Sequence, residues 1–374
     1  MTANSRSAGP VRTATLARLR LAAQGLLPSR SVGGELGRAA TPLAAVRRMG
    51  ALQSQDLQSG LLAVGLRTGR ATASGVADAL ASGAVVRTWT MRGTLFTVAA
   101  EDVRTFVGLA AERVMHTAAP RHRELEIGEE DVAVVRRVAE DRLAGGKGLT
   151  RAELFEAFEA AGQPTAAQRG IHLLSILSHR LVLVQGPVRG KQQEFRLAEE
   201  WLPAGGGLSG DEALEHLAGR YIAGHGPVGE RDFAWWLGQP LGRVRGPFAA
   251  AAARAERMDD GDAPLFCTAP VAALASGAAG ARAVVAVPAF DELAIGYPDR
   301  SVAIPPEHLD RVIPGVNGVF KAMVTVGGRA VGTWTKGGTA SAPRPVPELF
   351  EAFGPAAEVR LGAALGRIEA YWGS

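Results

Sequence analysis

Residues 84–100, AVVRTWTMRGTLFTVAA, form the pattern that most restricts the fold. The stretch is rich in β-branched and aromatic residues and is interrupted by Arg92-Gly93, which predicts a β-hairpin. Upstream, apolar residues at helical spacing predict a helix over Thr15–Leu26, and Thr41-Pro42 predicts the start of a second helix that runs through LAAVRRMGALQSQ. A third short helix is predicted over Gly75–Ser82. The order is therefore helices followed by a strand pair.

The same order recurs twice further along the chain. Helices are predicted at Glu101–Thr117, at Glu129–Leu143, at RAELFEAFEAAG capped by Thr150 and Glu153, and at Ala166–Ser178, before the strand pair LVLVQGPVRGKQQEFRL at 181–197. Helices predicted at Asp211–Ala223 and 229–238 precede β-rich segments at 284–298 and 319–337 and a final helix over Pro347–Tyr371. A tight turn is predicted at Gly327-Gly328. The turn between the strands of the middle unit carries the positive charges of Arg189 and Lys191.

In a winged-helix motif, helices are followed by a two-stranded wing. Such a motif can place a recognition helix in a DNA groove. The sequence therefore predicts an α+β protein, either one of three tandem winged-helix motifs or another α+β protein that shares stretches of this order. We expect the first motif in residues 1–100, the second in 101–205, and the third, with a β-rich C-terminal region, in 206–374.

Composition and charge narrow the function classes. The chain has 374 residues, is 47% hydrophobic and 21% charged, and has no apolar run of the roughly 18 residues that a membrane span needs. No export signal is recognisable, so a cytoplasmic location is expected. Its single cysteine, Cys267, excludes an internal disulfide. Residues 1–70 contain ten arginines but only two acidic residues, a charge of +8 that suggests a polyanionic partner.

The motif LQSQD places Gln53 and Gln55 two residues apart, near the predicted end of the second helix. Because an amide both donates and accepts hydrogen bonds, two amides can orient one water molecule toward an electrophile without acting as a strong base. The alternative is that Gln53, Gln55 and Asp56 only cap and solvate a helix end. For Asp291 and Glu292, an acid–base pair and turn capping are both possible.

Other catalytic signatures are missing from the sequence. The seven histidines are scattered without an HExxH pattern, and there is neither a Walker A loop nor a GxSxG elbow. No metal and no cofactor are therefore expected. Arg87, Trp89 and Arg92 alternate on the predicted hairpin, as in a nucleic-acid surface or in an amphipathic strand with a buried tryptophan.

Several segments together resemble the AlkZ-like winged-helix DNA glycosylases. They lie in the same order along nearly the whole chain, at Leu16–Leu26, Leu52–Asp56, Arg87–Asp102, Arg220–Gly238, Pro288–Ser301 and Asn317–Trp334. The resemblance implies three winged-helix motifs in a C-shaped arrangement around a basic channel. It also implies a Gln-x-Gln catalytic motif, which falls on Gln53 and Gln55, in the branch associated with bulky or crosslinked adducts.

The resemblance further implies a monofunctional glycosylase that hydrolyses the N-glycosidic bond of N7-alkylated purines in double-stranded DNA, in repair or antibiotic self-resistance. Six cations are expected to contact DNA: Arg47, Arg48, Arg87, Arg92, Arg189 and Lys191. Four residues are expected near the lesion: Asp56, Trp89, Met91 and Phe96. Many relatives have histidine where this chain has Phe96, which bears on the choice of lesion. We expect a monomer associated with the nucleoid, and the alternative is a non-catalytic DNA-binding regulator.

Overall fold

The computed structural model describes residues 12–28, 32, 34–70, 72–259, 263–315, 318–339 and 341–373. The N-terminal stretch considered for an export signal lies largely outside these residues. Residues 28–37 are rich in glycine and serine and predict a loop, and part of this loop and Asn317 also lie outside the described residues. The described chain begins with α1 (Thr13–Ala23), which is buried over most of its length. This confirms the predicted first helix, although both of its ends lie earlier than expected.

The first unit follows α1. It contains α2 (Pro42–Met49), β1 (Ala51–Gln53), α3 (Leu57–Arg67), α4 (Ala73–Ala81), β2 (Val85–Trp89), a 3-10 turn (Met91–Gly93), β3 (Leu95–Ala99) and a second 3-10 turn (Ala100–Asp102). Thr41 caps α2, since its Oγ1 accepts a hydrogen bond from the Ala44 N–H at 3.1 Å, as the sequence predicts. The predicted extension of α2 to Gln55 is wrong. Gly50, at φ 72°, ends the helix and β1 begins at the next residue.

The second unit repeats the order of the first. It contains α5 (Val103–Glu124), α6 (Glu129–Leu143), β4 (Leu149–Thr150), α7 (Arg151–Ala160), α8 (Arg169–His179), β5 (Leu183–Arg189), β6 (Gln192–Leu197) and α9 (Ala198–Trp201). The predicted capping box of α7 is present, because the Thr150 N–H donates to the Glu153 carboxylate at 2.7 Å and the Glu153 N–H donates to Thr150 Oγ1 at 3.4 Å.

The third unit has the same order in shorter form. It contains α10 (Gly210–His225), α11 (Glu230–Leu237), α12 (Leu241–Ala252), β7 (Glu256–Asp259), β8 (Pro264–Cys267) and α13 (Ala269–Ala273). A bridge between Val228 and Phe266 supplies a third strand-like contact. The sequence patterns did not identify β7 and β8, and the β-rich segments assigned to this unit belong to a separate sheet.

That sheet has the strand order β12-β11-β10-β9. Its elements, with the short helices around it, are β9 (Val284–Val287), α14 (Glu292–Ile295), a 3-10 turn (Pro306–His308), α15 (Leu309–Val312), β10 (Met323–Val326), β11 (Arg329–Gly338), β12 (Pro343–Leu349) and α16 (Pro355–Trp372). The predicted turn at Gly327-Gly328 is confirmed, with φ of 59° and 87°. The helix predicted from Pro347 begins only at Pro355, because residues 343–349 pair with β11.

The first two units share one six-stranded sheet of order β1-β3-β2-β5-β6-β4, joined where Arg87 of β2 faces Gln185 of β5. One face of this sheet, which includes Phe96 and Val98, packs on Trp236 and other apolar residues of α10–α12. The fold is therefore mixed α and β, as predicted. None of the described helices is long and apolar enough to cross a membrane.

Candidate active site

Gln53 and Gln55 lie at the end of β1, on the edge of the six-stranded sheet. Gln53 faces Phe96 in the antiparallel register with β3, and the pairing continues as the Ser54 N–H donates to the Leu95 carbonyl at 2.7 Å. Side chains alternate along extended backbone, so Gln53, the last residue of β1, points to the opposite side from Ser54. Ser54 is buried, with its Oγ 2.6 Å from Thr97 Oγ1. The packing of Ser54 therefore fixes the direction of Gln53, and Gln55 follows in a bend.

The two glutamines differ in their partners. The side-chain amide of Gln53 is half-buried and forms no hydrogen bond within the described part of the chain, whereas Gln55 is exposed and its Oε1 accepts a hydrogen bond from the Leu95 N–H at 3.2 Å. Only Asp56 caps a helix, accepting from the Ser59 N–H at 2.8 Å at the start of α3. Helix capping therefore accounts for Asp56 and leaves polar groups of both glutamines available to water or a ligand.

Arg87 stabilises the backbone of Ser54 and Gln55 through hydrogen bonds. Its Nε donates to the Ser54 carbonyl at 2.7 Å, its Nη2 donates to the Gln55 carbonyl at 3.2 Å, and its Nη1 contacts Gln185 and Gln193. Arg87 is buried, and burial lowers its pKa to about 10. The phosphate contact expected for Arg87 does not fit this position, because the guanidinium is enclosed and already bonded to the protein.

Glu292 approaches the same segment from the C-terminal part of the chain. Its Oε1 accepts a hydrogen bond from the Gln53 backbone N–H at 3.0 Å. Its Oε2 accepts from Trp236 Nε1 at 3.2 Å and lies 3.3 Å from His225 Nε2. Burial lowers the pKa of His225, although Glu292 opposes that shift. Sequence patterns gave no sign of this contact, since it joins residues 239 positions apart.

Asp291, next to Glu292, has a different partner. Its carboxylate caps α14 by accepting from the Leu293 N–H at 2.9 Å, as turn capping would require, and it forms an ion pair with Arg67 at 2.8 Å. Arg67 Nη2 also donates to Gln24 Oε1 at 2.6 Å. The capping alternative is therefore confirmed for Asp291, and the segment predicted to be β-rich contains a capped helical turn instead.

Arg92 lies between the first and third units. It has a left-handed φ of 55°, donates to the Trp236 carbonyl, and places its guanidinium carbon 4.7 Å from the centre of the Trp235 ring and 5.4 Å from that of Phe96. Burial lowers its pKa. Arg92 is half-buried rather than fully enclosed, so part of it remains accessible beside Gln53 and Phe96.

The residues expected near the lesion do not form one group. Phe96 is fully buried opposite Gln53, and Met91 is fully buried in the same core. Trp89 belongs to a different core in the second unit, where its ring stacks on Phe195 at 6.4 Å. The structure thus brings Phe96 to the glutamines and leaves Trp89 as a packing residue.

The remaining residues expected to contact DNA differ in whether they are already paired within the protein. Arg47 is exposed but paired with Glu101 at 2.6 Å, and Arg48 donates to the carbonyls of Gly37 and Glu35 at 2.6 and 3.0 Å. Arg189 is exposed and paired with Glu153 and Glu194. Lys191, at the tip of the β5–β6 hairpin, is exposed and makes no ion pair within the described ranges. In the same part of the chain, no group of three or more His, Cys, Asp or Glu residues could hold a metal ion.

Comparison with known proteins decides the family. A family model described as DNA glycosylase AlkZ-like matches residues 46–371, which is most of the chain. The chain belongs to the AlkZ-like DNA glycosylase family. Among the two expected classes, this AlkZ-like membership supports the enzyme and not the non-catalytic regulator.

A solved structure agrees with the assignment at the level of the fold. The DNA glycosylase AlkZ of Streptomyces sahachiroi superposes with a TM-score of 0.76, covering 98% of this chain and 97% of its own, at 21% sequence identity. No curated protein sequence matches the chain. The structural likeness supports the fold, and membership of the AlkZ-like family identifies the chain as a DNA glycosylase.

Proposed function

We propose that this glycosylase hydrolyses the N-glycosidic bond of N7-alkylated purines in double-stranded DNA, with Gln53 and Gln55 as its catalytic residues. The observation that carries the proposal is the Gln53 amide, which has no protein partner among the described residues and lies at the end of β1, two positions before the exposed Gln55. Such an amide can bind a water molecule without competition from the protein.

The chemistry of the substrate makes weak polar groups sufficient. Alkylation at N7 gives the purine a positive charge and makes it a good leaving group, so the bond breaks with little assistance. The sugar then becomes an oxocarbenium ion, which amide oxygens stabilise electrostatically while they hold water against C1′. Gln53 and Gln55 therefore act by positioning and by their dipoles, and no strong base is required.

The recurring order of elements supports a DNA-binding role for all three units. In each unit, at least three helices and a short strand or bridge precede a strand pair, which is the winged-helix arrangement, and we propose three such motifs in a C-shaped molecule around a basic channel. Lys191, Arg189 and Arg47 are exposed cations suited to phosphate contacts that hold the duplex without reading its sequence. The enzyme would act as a monomer on the chromosome in the cytoplasm.

The choice of lesion rests on the surroundings of Gln53. We propose bulky or crosslinked N7 adducts, such as those left by alkylating natural products, because the resemblance to the Gln-x-Gln branch points to them. Phe96 is fully buried opposite Gln53, so a packed apolar side chain stands where many relatives have a polar one.

The test is base release from two duplexes, one with N7-methylguanine and one with a bulky N7-guanine adduct. Wild type is compared with a Gln53→Ala, Gln55→Ala double variant whose duplex binding is measured in parallel. We expect the wild type to free the modified base and leave an alkali-labile abasic site, and the variant to bind but release nothing. Binding by both proteins without release from either duplex would contradict the proposed substrate. Faster release of N7-methylguanine than of the bulky base would contradict the proposed preference.

A further inference from the structure

Glu292 occupies an unusual position for a carboxylate. Glu292 is 1% exposed and is the first residue of the short helix α14, two positions after Phe290, whose φ of 57° is left-handed. A non-glycine residue in that conformation costs free energy, and such residues concentrate where the surrounding structure enforces a particular direction of the chain. Here the turn aims Glu292 at the end of β1.

The contact between Glu292 and Gln53 takes the place of a hydrogen bond to a neighbouring strand. Because β1 is an edge strand of its sheet, one side of its backbone has no strand partner. The Gln53 N–H on that side donates to Glu292 Oε1 at 3.0 Å. Without this acceptor a half-buried N–H would lack a protein partner, which is costly. Glu292 therefore fixes the backbone of the residue that carries the free amide.

The other carboxylate oxygen is held by two buried rings. Trp236 Nε1 donates to Oε2 at 3.2 Å, and His225 Nε2 lies 3.3 Å from it. His225 Nδ1 is buried without a partner, so the ring proton is better placed on Nε2, where it donates to Glu292. Three N–H groups thus converge on one carboxylate, so both of its oxygens accept hydrogen bonds.

The two adjacent carboxylates differ in charge compensation. Asp291 forms an ion pair with Arg67 at 2.8 Å, whereas Glu292 pairs with no lysine or arginine among the described residues. A buried charge of this kind is weakly screened, so its field acts on groups around Gln53. The cation expected to form there during the reaction is a sugar oxocarbenium ion.

We propose that Glu292 is a positioning residue for the glycosylase reaction. It holds the Gln53 backbone through Oε1, is itself held by Trp236 and His225, and supplies a fixed negative charge behind the site where the sugar becomes positive. This inference rests on the proposed function of Gln53 and Gln55. It adds a residue from the C-terminal part of the chain, which does not touch the substrate.

The test compares Glu292→Gln with Glu140→Gln, the same change at an exposed carboxylate that pairs with Arg136 away from the site. Single-turnover release of N7-methylguanine is measured at saturating enzyme, and the Kd for the same duplex is measured separately. Glu292→Gln keeps an oxygen for the Gln53 N–H but removes the charge, so we expect the rate to fall about 10- to 100-fold with Kd within about twofold. Glu140→Gln is expected to leave both the rate and Kd unchanged.

An active wild type and an equally fast, folded Glu292→Gln variant would overturn the role of Glu292 alone. A fall in rate matched by an equal loss of duplex binding would also overturn it. If Glu292→Gln does not fold, Glu292→Asp keeps the charge but cannot reach Gln53 in the same way. A rate for Glu292→Asp equal to that of wild type would overturn the proposal, and a fall of about tenfold at unchanged Kd would support it. A wild type that releases no base would overturn the proposed function and this role with it.

Discussion

The guanidinium of Arg67 donates two hydrogen bonds of 2.8 Å to the carboxylate of Asp291, although the residues are 224 positions apart. Arg67 is the last residue of α3, which starts directly after Gln55 and Asp56, and Asp291 immediately precedes Glu292. Their side chains are 1% and 0% exposed. This pair therefore links the helix behind the glutamines to the turn that delivers Glu292.

Breaking this pair should destabilise the fold strongly. Asp291→Asn leaves Arg67 buried without a counter-charge, so we expect a loss of about 3–5 kcal/mol in the free energy of unfolding, measured by urea denaturation. The matched control is Glu140→Gln, which breaks an exposed i,i+4 pair with Arg136 at 2.7 Å and should cost no more than about 0.5 kcal/mol. Equal losses in the two variants would contradict the expected importance of burial.

Local signals in the sequence predicted most elements correctly. The N-cap at Thr41, the capping box at Thr150 and Glu153 and the turn at Gly327-Gly328 all depend on residues within four positions of one another. Each is confirmed, because capping and turn formation are determined by the short-range chemistry of the chain. The predicted ends of an element were least accurate where pairing with a distant strand determines where the element begins or ends.

Non-local pairing explains what the sequence did not predict. Gln53 is predicted at a helix end, but it lies in strand β1. Its partner in the β1–β3 pairing is Phe96, which comes 43 residues later in the chain. The helix predicted from Pro347 overlaps the end of β12, whose residues 343–349 pair with β11. The catalytic role of the two glutamines stays a prediction. The contact of Gln53 with Glu292 was not predicted, since no local pattern encodes a hydrogen bond between such distant residues.

A second prediction concerns the support that Arg87 gives to the glutamine segment. Arg87→Lys keeps the charge but cannot bond to the Ser54 carbonyl, the Gln55 carbonyl and the side chains of Gln185 and Gln193 together. We expect single-turnover base release to fall about 10- to 100-fold, because small displacements of positioned groups have large kinetic effects. The Kd for duplex should stay within about twofold, since the buried guanidinium is not placed to contact phosphate.

The opposite result would support the phosphate contact that the sequence analysis predicts for Arg87. If Arg87→Lys releases base as fast as wild type while Arg87→Ala binds duplex much more weakly, Arg87 acts mainly through DNA. Arg136→Lys, on the exposed face of α6, provides the control for an arginine-to-lysine change outside the site.

A third prediction distinguishes free from paired cations on the β5–β6 hairpin. Lys191 makes no ion pair in the ranges described, whereas Arg189 is paired with Glu153 and Glu194. If the hairpin contacts phosphate, Lys191→Ala should reduce the slope of log K against log salt by about 0.9, the value for one released counterion. Arg189→Ala should reduce it less, because part of its charge is already neutralised within the protein.

The control is Lys147→Ala, which removes an exposed lysine between α6 and β4. Fluorescence anisotropy with one duplex at several salt concentrations measures all three variants. A salt slope unchanged by Lys191→Ala would remove this hairpin from the DNA interface, and an equal change for Lys147→Ala would show that the effect is not specific to the hairpin.

The last prediction is a loss of stability in mild acid. Burial lowers the pKa of His122, His172, His179 and His225 below the ordinary 6.5. As the pH falls below about 6.5, the unfolded chain binds protons at these positions while the folded chain does not, so the free energy of unfolding decreases. The slope is at most about 1.4 kcal/mol per pH unit for each histidine. Urea denaturation between pH 7.5 and 5 measures the effect.

Carboxylates do not produce the same signal in that range. The pKa values of Glu129 and Asp131 are lowered from 4.5 and 3.8 by a hydrogen bond from Arg180 and one from the Gly128 N–H, so their stabilisation is lost only at lower pH. His122 and His172 are half-buried, with rings 5.3 Å apart, and changing both to Gln should make the slope between pH 6.5 and 5 shallower while barely changing stability at pH 7.5. A stability that stays constant or rises on acidification to pH 5 would show that the buried histidines take up protons in the folded state as readily as in the unfolded chain.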